Sequence, residues 1–260
     1  MTALAARRRH PLATAVLLLL GLLVTGALYA AAAPRPAVAA DAAESEVAAG
    51  RALFLANCTT CHGENAEGRA NAPSLIGVGA AAVDFQVATG RMPLQASGPQ
   101  APAGRNKFSE EQVAQLAAYV ASLGPGPAVP TADELSIDGA DPARGSLIFR
   151  TNCAKCHNFA GKGGALTRGK YAPDLSDVSE KHIWEAMLTG PQSMPVFNDA
   201  TIDEQSKKDV VAYLLSIREE PSPGGLSLGK LGPVSEGLVG WIVGLGLLIG
   251  CAVWLGAKSS

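Results

Sequence analysis

Two long apolar stretches frame a more polar middle of this chain. Residues 12–33 and 238–255 carry no charged side chain, and as helices both come close to the ~30 Å of a bilayer core. Between them, apolar residues recur at helical spacing in 113–123 and 210–217. No long run alternates apolar and polar residues as a strand would. The pattern predicts an all-α protein with an apolar helix near each end.

The first apolar stretch permits two readings. Arg7, Arg8 and Arg9 precede it and small residues follow at 37–40, as in a cleavable signal peptide. The stretch is also long enough to remain as a membrane anchor. Either reading exports the residues that follow.

Clusters of proline and glycine divide the middle of the chain. The predicted divisions are an N-terminal signal or anchor (1–40), a first helical domain (44–125), a linker (126–143), a second helical domain (144–220), a juxtamembrane linker (221–236) and a transmembrane helix (237–256). Residues 95–107 have no periodicity and are predicted to form a surface loop, either an insertion or a docking segment for a partner.

Charge adds little to this picture. The net charge is −2 over 260 residues, which does not favour a nucleic-acid partner.

Four of the five cysteines belong to two Cys-x-x-Cys-His motifs, Cys58/Cys61/His62 and Cys153/Cys156/His157. This pentapeptide is typical of covalent haem c attachment, in which two thiols bond the porphyrin and the histidine ligates iron. A thioredoxin-like site would need a βαβ context, and a zinc site would need the pairs ~15–20 residues apart. The motifs therefore predict two haem c groups.

The surroundings of the two motifs also repeat. Matching landmarks are Gly50 and Gly145, Phe54 and Phe149, Pro73 and Pro173, Met92-Pro93 and Met194-Pro195, and Tyr119 and Tyr213. Such regularity indicates a tandem duplication.

The repeat restricts the second axial ligand of each iron. In the first domain Met92 is the one methionine, whereas the second offers Met194, Met187 and His182. Met194 is favoured because Met194-Pro195 repeats Met92-Pro93. Met187 falls in a helical pattern typical of core packing, and His182 is expected at the surface or beside another functional group. Methionine ligation fills the sixth position and so favours electron transfer over catalysis at iron.

Pro73 and Pro173 have a predicted role. A proline offers a carbonyl but no N–H, and an iron-ligating histidine usually donates its other ring N–H to a carbonyl. We expect the two prolines to accept from His62 and His157, although simple loop positions remain the alternative.

In layout, with both haem motifs, both Met-Pro pairs and the C-terminal apolar helix, the chain resembles the dihaem cytochrome c subunit of the actinobacterial cytochrome bcc complex, a menaquinol/ubiquinol–cytochrome c reductase. The resemblance implies two tandem cytochrome c domains on the extracytoplasmic side of the plasma membrane. It implies partners too: cytochrome b, a Rieske iron–sulfur subunit that supplies electrons, and a cytochrome c oxidase that receives them in a supercomplex. Quinol oxidation would occur on the partner subunits.

Other electron-transfer roles fit the same motifs. The chain could be a freestanding dihaem shuttle, although the C-terminal apolar helix disfavours diffusion, or the cytochrome subunit of a membrane dehydrogenase. A dihaem peroxidase would need an open iron position, which the two methionines disfavour.

Overall fold

The computed structural model describes residues 11–32, 37–219, 228 and 233–258. The chain divides into two compact units, residues 1–45 and 46–260. The helices, in chain order, are α1 (Pro11–Ala32), α2 (Ala37–Asn57), α3 (Thr59–His62), α4 (Ala80–Ala88), α5 (Glu110–Ser122), α6 (Ala132–Leu135), α7 (Pro142–Asn152), α8 (Ala154–His157), α9 (Glu180–Thr189), α10 (Glu204–Glu219) and α11 (Pro233–Lys258). The described strands, β1 (Gly164–Ala165) and β2 (Tyr171–Ala172), form one antiparallel pair. The helical architecture agrees with the all-α prediction.

Local sequence determines where α5 and α7 begin. Ser109 caps α5 by accepting from the Gln112 backbone N–H, while the Gln112 side chain accepts from the Ser109 N–H, a complete capping box. Asp141 occupies the N-cap position of α7, as Ser109 does in α5, and Pro142 lies in the first turn of α7. Both helices are therefore specified before any tertiary contact forms.

The predicted repeat is also a repeat in three dimensions. A Cβ placed on Gly50 of α2 would lie 1.9 Å from the Gln115 carbonyl oxygen of α5, and one on Gly145 of α7 would lie 1.9 Å from the Asp209 carbonyl oxygen of α10. Both glycines thus allow an N-terminal and a C-terminal helix to cross with their backbones in contact. This close crossing explains why glycine occupies both landmark positions.

Aromatic pairs reinforce each crossing. The Phe54 and Tyr119 rings lie 5.2 Å apart at 49°, and the Phe149 and Tyr213 rings lie 5.5 Å apart at 51°. Phe54 and Phe149 are each 1% exposed, and burying such a side chain is worth ~1.5–3 kcal/mol. The first core contains Phe54, Ala66, Val87, Val113, Leu116, Tyr119 and Val120, and the second contains Phe149, Ile183, Trp184, Met187, Phe197, Ile202, Val210, Val211 and Leu214.

The two repeated halves contact each other directly. Lys181 on α9 donates to Asp84 on α4 at 2.7 Å, and the His182 and Phe85 rings meet edge to face at 6.1 Å. Residues 95–107 reach from the first half to the second, where the Gln100 side chain accepts from the Tyr171 N–H at 2.7 Å and donates to the Tyr171 carbonyl at 3.1 Å. This predicted surface loop therefore docks within the chain.

Within the part of the chain that the structure describes, two helices are apolar enough to cross a membrane: the segments Leu12–Tyr29 of α1 and Val234–Lys258 of α11, each with a mean hydropathy of 2.3. Their apolar side chains are exposed. Trp241 and Trp254 stand near the two ends of the uncharged stretch 238–255 of α11, as side chains of a membrane interface do. The predicted cleavage region at 37–40 falls at the start of α2, and most of the predicted linker 221–236 lies outside the described residues.

Candidate haem-binding sites

The first Cys-x-x-Cys-His motif forms a single helical turn at the end of α2. The Cys58 N–H donates to the Phe54 carbonyl at 2.8 Å, and the His62 N–H donates to the Cys58 carbonyl at 2.9 Å. Residues three or four apart on a helix share one face. The turn therefore presents both thiols and the imidazole together.

The second motif repeats this geometry at the end of α7. The Cys153 N–H donates to the Phe149 carbonyl at 2.8 Å, and the His157 N–H donates to the Cys153 carbonyl at 2.9 Å. In each half the turn is thus fixed by hydrogen bonds to the helix whose phenylalanine anchors the core.

Both histidines are held by a proline carbonyl. His62 Nδ1 lies 2.8 Å from the Pro73 oxygen, and His157 Nδ1 lies 3.1 Å from the Pro173 oxygen. A carbonyl only accepts hydrogen bonds, so Nδ1 carries a proton in each ring, which leaves Nε2 as the nitrogen that can ligate iron. Burial lowers the pKa of His157 and so favours the neutral ring, while the hydrogen bond to Pro173 acts in the opposite direction. The contacts predicted for the two prolines are present, and both imidazoles have the tautomer that iron requires.

The thiols do not resemble those of a dithiol oxidoreductase. Burial, with a smaller contribution from Cys61, raises the pKa of Cys58 to about 11; burial, and then Cys156, raises that of Cys153 to about 11. Reactive Cys-x-x-Cys thiols have lowered pKa values instead. The thioredoxin-like reading is therefore disfavoured by electrostatics as well as by context.

The predicted methionine ligands lie at equivalent places. Met92 and Cys58 both pack against the first core, and Met194 and Cys153 both pack against the second core. Met187, by contrast, is 2% exposed within the second core. His182 lies 4.0 Å from Asp84 at the junction of the two halves. These positions support Met92 and Met194 as the axial ligands.

A cavity beside the second motif fits a prosthetic group. It is an open depression of about 540 Å³, and its lining includes Cys156, Leu166, Arg168, Lys170 and Ser193, the neighbour of Met194. This volume is usual for cofactor pockets. The chemistry also fits a haem, because a thiol for attachment and two cations that suit its carboxylates border one space.

Sequence reasoning missed the two cations. They belong to the β1–β2 hairpin, which makes the histidine-to-proline spacing 16 residues in the second half against 11 in the first. This difference in spacing was the feature of the sequence that could have revealed them, because the longer segment of the second half contains Arg168 and Lys170.

Comparison with known families divides the chain as the motifs do. Residues 47–124 match the family described as cytochrome c, and residues 140–214 match the family described as cytochrome c oxidase, cbb3-type, subunit III. Each match contains one Cys-x-x-Cys-His motif.

Whole-chain relatives are closer. The chain is 46% identical to the cytochrome bc1 complex cytochrome c subunit of Mycobacterium tuberculosis, over 97% of this chain and 93% of that one. It is 45% identical to the subunit of the same description from Corynebacterium efficiens, over 96% and 90%. The cbb3-type cytochrome c oxidase subunit FixP of Sinorhizobium medicae is 32% identical over 51% of this chain and 45% of that one. Only the first two likenesses run through nearly the whole sequence.

Proposed function

Because the chain belongs to the family of cytochrome c subunits of the cytochrome bc1 complex, we propose that it is the dihaem electron-transfer subunit of a quinol-oxidising complex of this kind. It takes electrons from the iron–sulfur subunit and passes them to a cytochrome c oxidase held in the same supercomplex. Quinol oxidation itself belongs to the partner subunits, among them cytochrome b.

The observation that carries the proposal is the duplicated His–Pro contact. His62 and His157 each point Nδ1 at a proline carbonyl, so each offers Nε2 as a ligand atom beside two thiols. We assign Cys58, Cys61, Cys153 and Cys156 to thioether attachment. When bound, haem c supplies one-electron redox chemistry.

The chain's own groups orient the irons and restrict their chemistry. Met92 and Met194, packed at the rim of the two cores, are assigned as the axial ligands opposite His62 and His157. Held by a histidine and a methionine, each iron would offer no open site to a substrate, and the thioether ligand would raise its reduction potential. The arrangement therefore suits electron carriage better than peroxidase chemistry.

We propose that α11 anchors the haem domains to the plasma membrane, on its extracytoplasmic side. The exposed apolar surface of α11 supports a membrane span, as do Trp241 and Trp254 near the ends of its uncharged stretch. Lys258 at the end of the helix supports a cytoplasmic C-terminus. A protein anchored in this way passes electrons within a membrane complex and does not diffuse between complexes. Whether α1 is retained as a second span or cleaved is open to N-terminal sequencing.

Purification of the native complex from membranes tests the proposal. Intact-mass analysis should find two covalent haems per chain, and cytochrome b, the iron–sulfur subunit and the oxidase should copurify with quinol-dependent oxygen uptake. A chain with one haem or none would overturn the dihaem assignment. Two haems with neither cytochrome b nor an oxidase would overturn the assigned partners, and copurification with a dehydrogenase would identify the alternative complex.

A further inference from the structure

A cluster of three potential metal ligands lies where the two halves of the protein meet. Asp84 belongs to α4 of the first half, whereas His182 and Glu185 belong to α9 of the second. One ligand atom from each lies within 4.8 Å of the other two. The cluster contains none of the residues assigned to the haems.

Lys181 pairs with one oxygen of Asp84, but the other three carboxylate oxygens of this cluster have no hydrogen-bond partner in the part of the chain that the structure describes. Asp84 is 5% exposed and Glu185 is 0% exposed. Asp84 Oδ1 and both Glu185 oxygens are buried, and among the described residues none donates a hydrogen bond to them. Burial, followed by the nearby Asp84 charge, raises the pKa of Glu185 to about 8. Two facing carboxylates in such a place need a cation or a shared proton between them.

The remaining contacts prepare the cluster for a cation. Lys181 Nζ donates to Asp84 Oδ2 at 2.7 Å, which fixes that carboxylate and leaves Oδ1 turned to the cluster. Metal-ligating carboxylates are commonly held by such an outer hydrogen bond. Lys181 and Arg91 are the cations nearest to His182, and neither donates to the three unpaired oxygens.

The imidazole distinguishes a metal from a shared proton. A proton would need only the two carboxyl groups, whereas His182 stands three residues before Glu185 on the same face of α9, with its Nε2 4.0 Å from Asp84 Oδ1. Burial is the largest effect on His182 and lowers its pKa, with Lys181 and Arg91 acting in the same direction and Asp84 opposing.

We propose that Asp84, His182 and Glu185 bind a divalent transition metal, with Zn²⁺ as the best match, and that this ion ties the two cytochrome halves together. Imidazole nitrogen and carboxylate oxygen both ligate Zn²⁺, which can be held by three protein ligands with a fourth position open, while Ca²⁺ takes 6–8 oxygen ligands. The ion neutralises the two buried carboxylates. Since one ligand comes from α4 and two from α9, binding closes the junction between them.

The test uses the full-length dihaem protein in detergent, purified without a polyhistidine tag. The samples are stripped with a chelator, equilibrated with micromolar Zn²⁺, desalted and analysed for zinc and haem iron. We expect one zinc per two haem irons in the unaltered protein. Glu185→Gln and His182→Gln should each lose that zinc at unchanged haem content. Glu180→Gln removes a carboxylate from the same helix outside the cluster and should keep it.

Two further measurements guard against a folding artefact. Zinc X-ray absorption of the unaltered protein should show only nitrogen and oxygen ligands at ~2.0–2.2 Å, without sulfur. Added Zn²⁺ should raise the Tm of the unaltered protein and of Glu180→Gln, but not that of Glu185→Gln. Glutamine imitates a protonated glutamate, so this variant should fold normally.

Two outcomes would overturn the proposal. Failure of the unaltered protein to hold zinc at micromolar concentration would leave a shared proton as the occupant. Equal zinc binding by the protein and both cluster variants would place the ion elsewhere. Neither result would alter the haem count, so the proposed function is tested separately.

Discussion

Removing the Gln100 side chain should loosen the junction of the two halves at a defined backbone position. Its amide makes two hydrogen bonds to Tyr171, at 2.7 and 3.1 Å, across 71 residues of sequence. A hydrogen bond contributes ~0.5–1.5 kcal/mol net, and these two are solvent-accessible, so we take the lower half of that range for each. Gln100→Ala should therefore weaken the local contact by ~1–2 kcal/mol.

Hydrogen exchange at the Tyr171 amide measures this directly, because that N–H is the donor in the shorter bond. Since 1.4 kcal/mol is a factor of ten, exchange should accelerate ~5–30-fold in Gln100→Ala. Gln95→Ala is the matched control, because it removes an exposed glutamine from the same loop. Equal exchange at Tyr171 in the two variants would refute the claim that the loop holds the second half in place.

Three other changes test the sites and the fold. Met194→Ala should abolish the thioether absorption band of one haem and lower its reduction potential, whereas Met187→Leu should alter only stability; the reverse pattern in redox titration would reassign the ligand. Cys58→Ser should leave one of that haem's two thioether bonds unformed, and intact mass with in-gel haem staining should find its attachment weakened or lost while the second haem stays bound. Gly145→Ala would put a Cβ 1.9 Å from the Asp209 carbonyl oxygen, and this backbone neighbour cannot move aside easily. The free energy of unfolding of the dihaem protein, measured with denaturant, should therefore fall by ~3 kcal/mol or more, which exceeds the ~1 kcal/mol that alanine gains in helix propensity. Unchanged stability would mean that the helices do not cross as described.

Local patterns in the sequence were enough to predict α1, α5, α10 and α11 and to find the two Cys-x-x-Cys-His motifs. Apolar residues at helical spacing in 113–123 and 210–217 correspond to most of α5 and to the C-terminal half of α10. The repeat even identified Gly50 and Gly145, although it could not say that a backbone crossing requires them. Periodicity reports which residues are equivalent and gives no distance between them.

The contacts between the halves could not be predicted in this way. Asp84 and Lys181 are 97 residues apart, and their pairing leaves no periodic trace. Gln100 lies in a proline- and glycine-rich segment whose composition indicates only a surface loop. In a single sequence, polar residues that pair across a large sequence separation cannot be distinguished from polar residues that face water.

The Gln100 contact also has an evolutionary consequence. Tyr171 stands two residues before Pro173, whose carbonyl holds the His157 ring, so the first half contributes to the surroundings of an iron ligand in the second. The two copies of the duplicated cytochrome unit have therefore become specialised, and each depends on the other. Exchanging one half for a cytochrome from another lineage would preserve every motif and still disturb the neighbouring redox centre. Selection should therefore keep the pair inherited as a single gene.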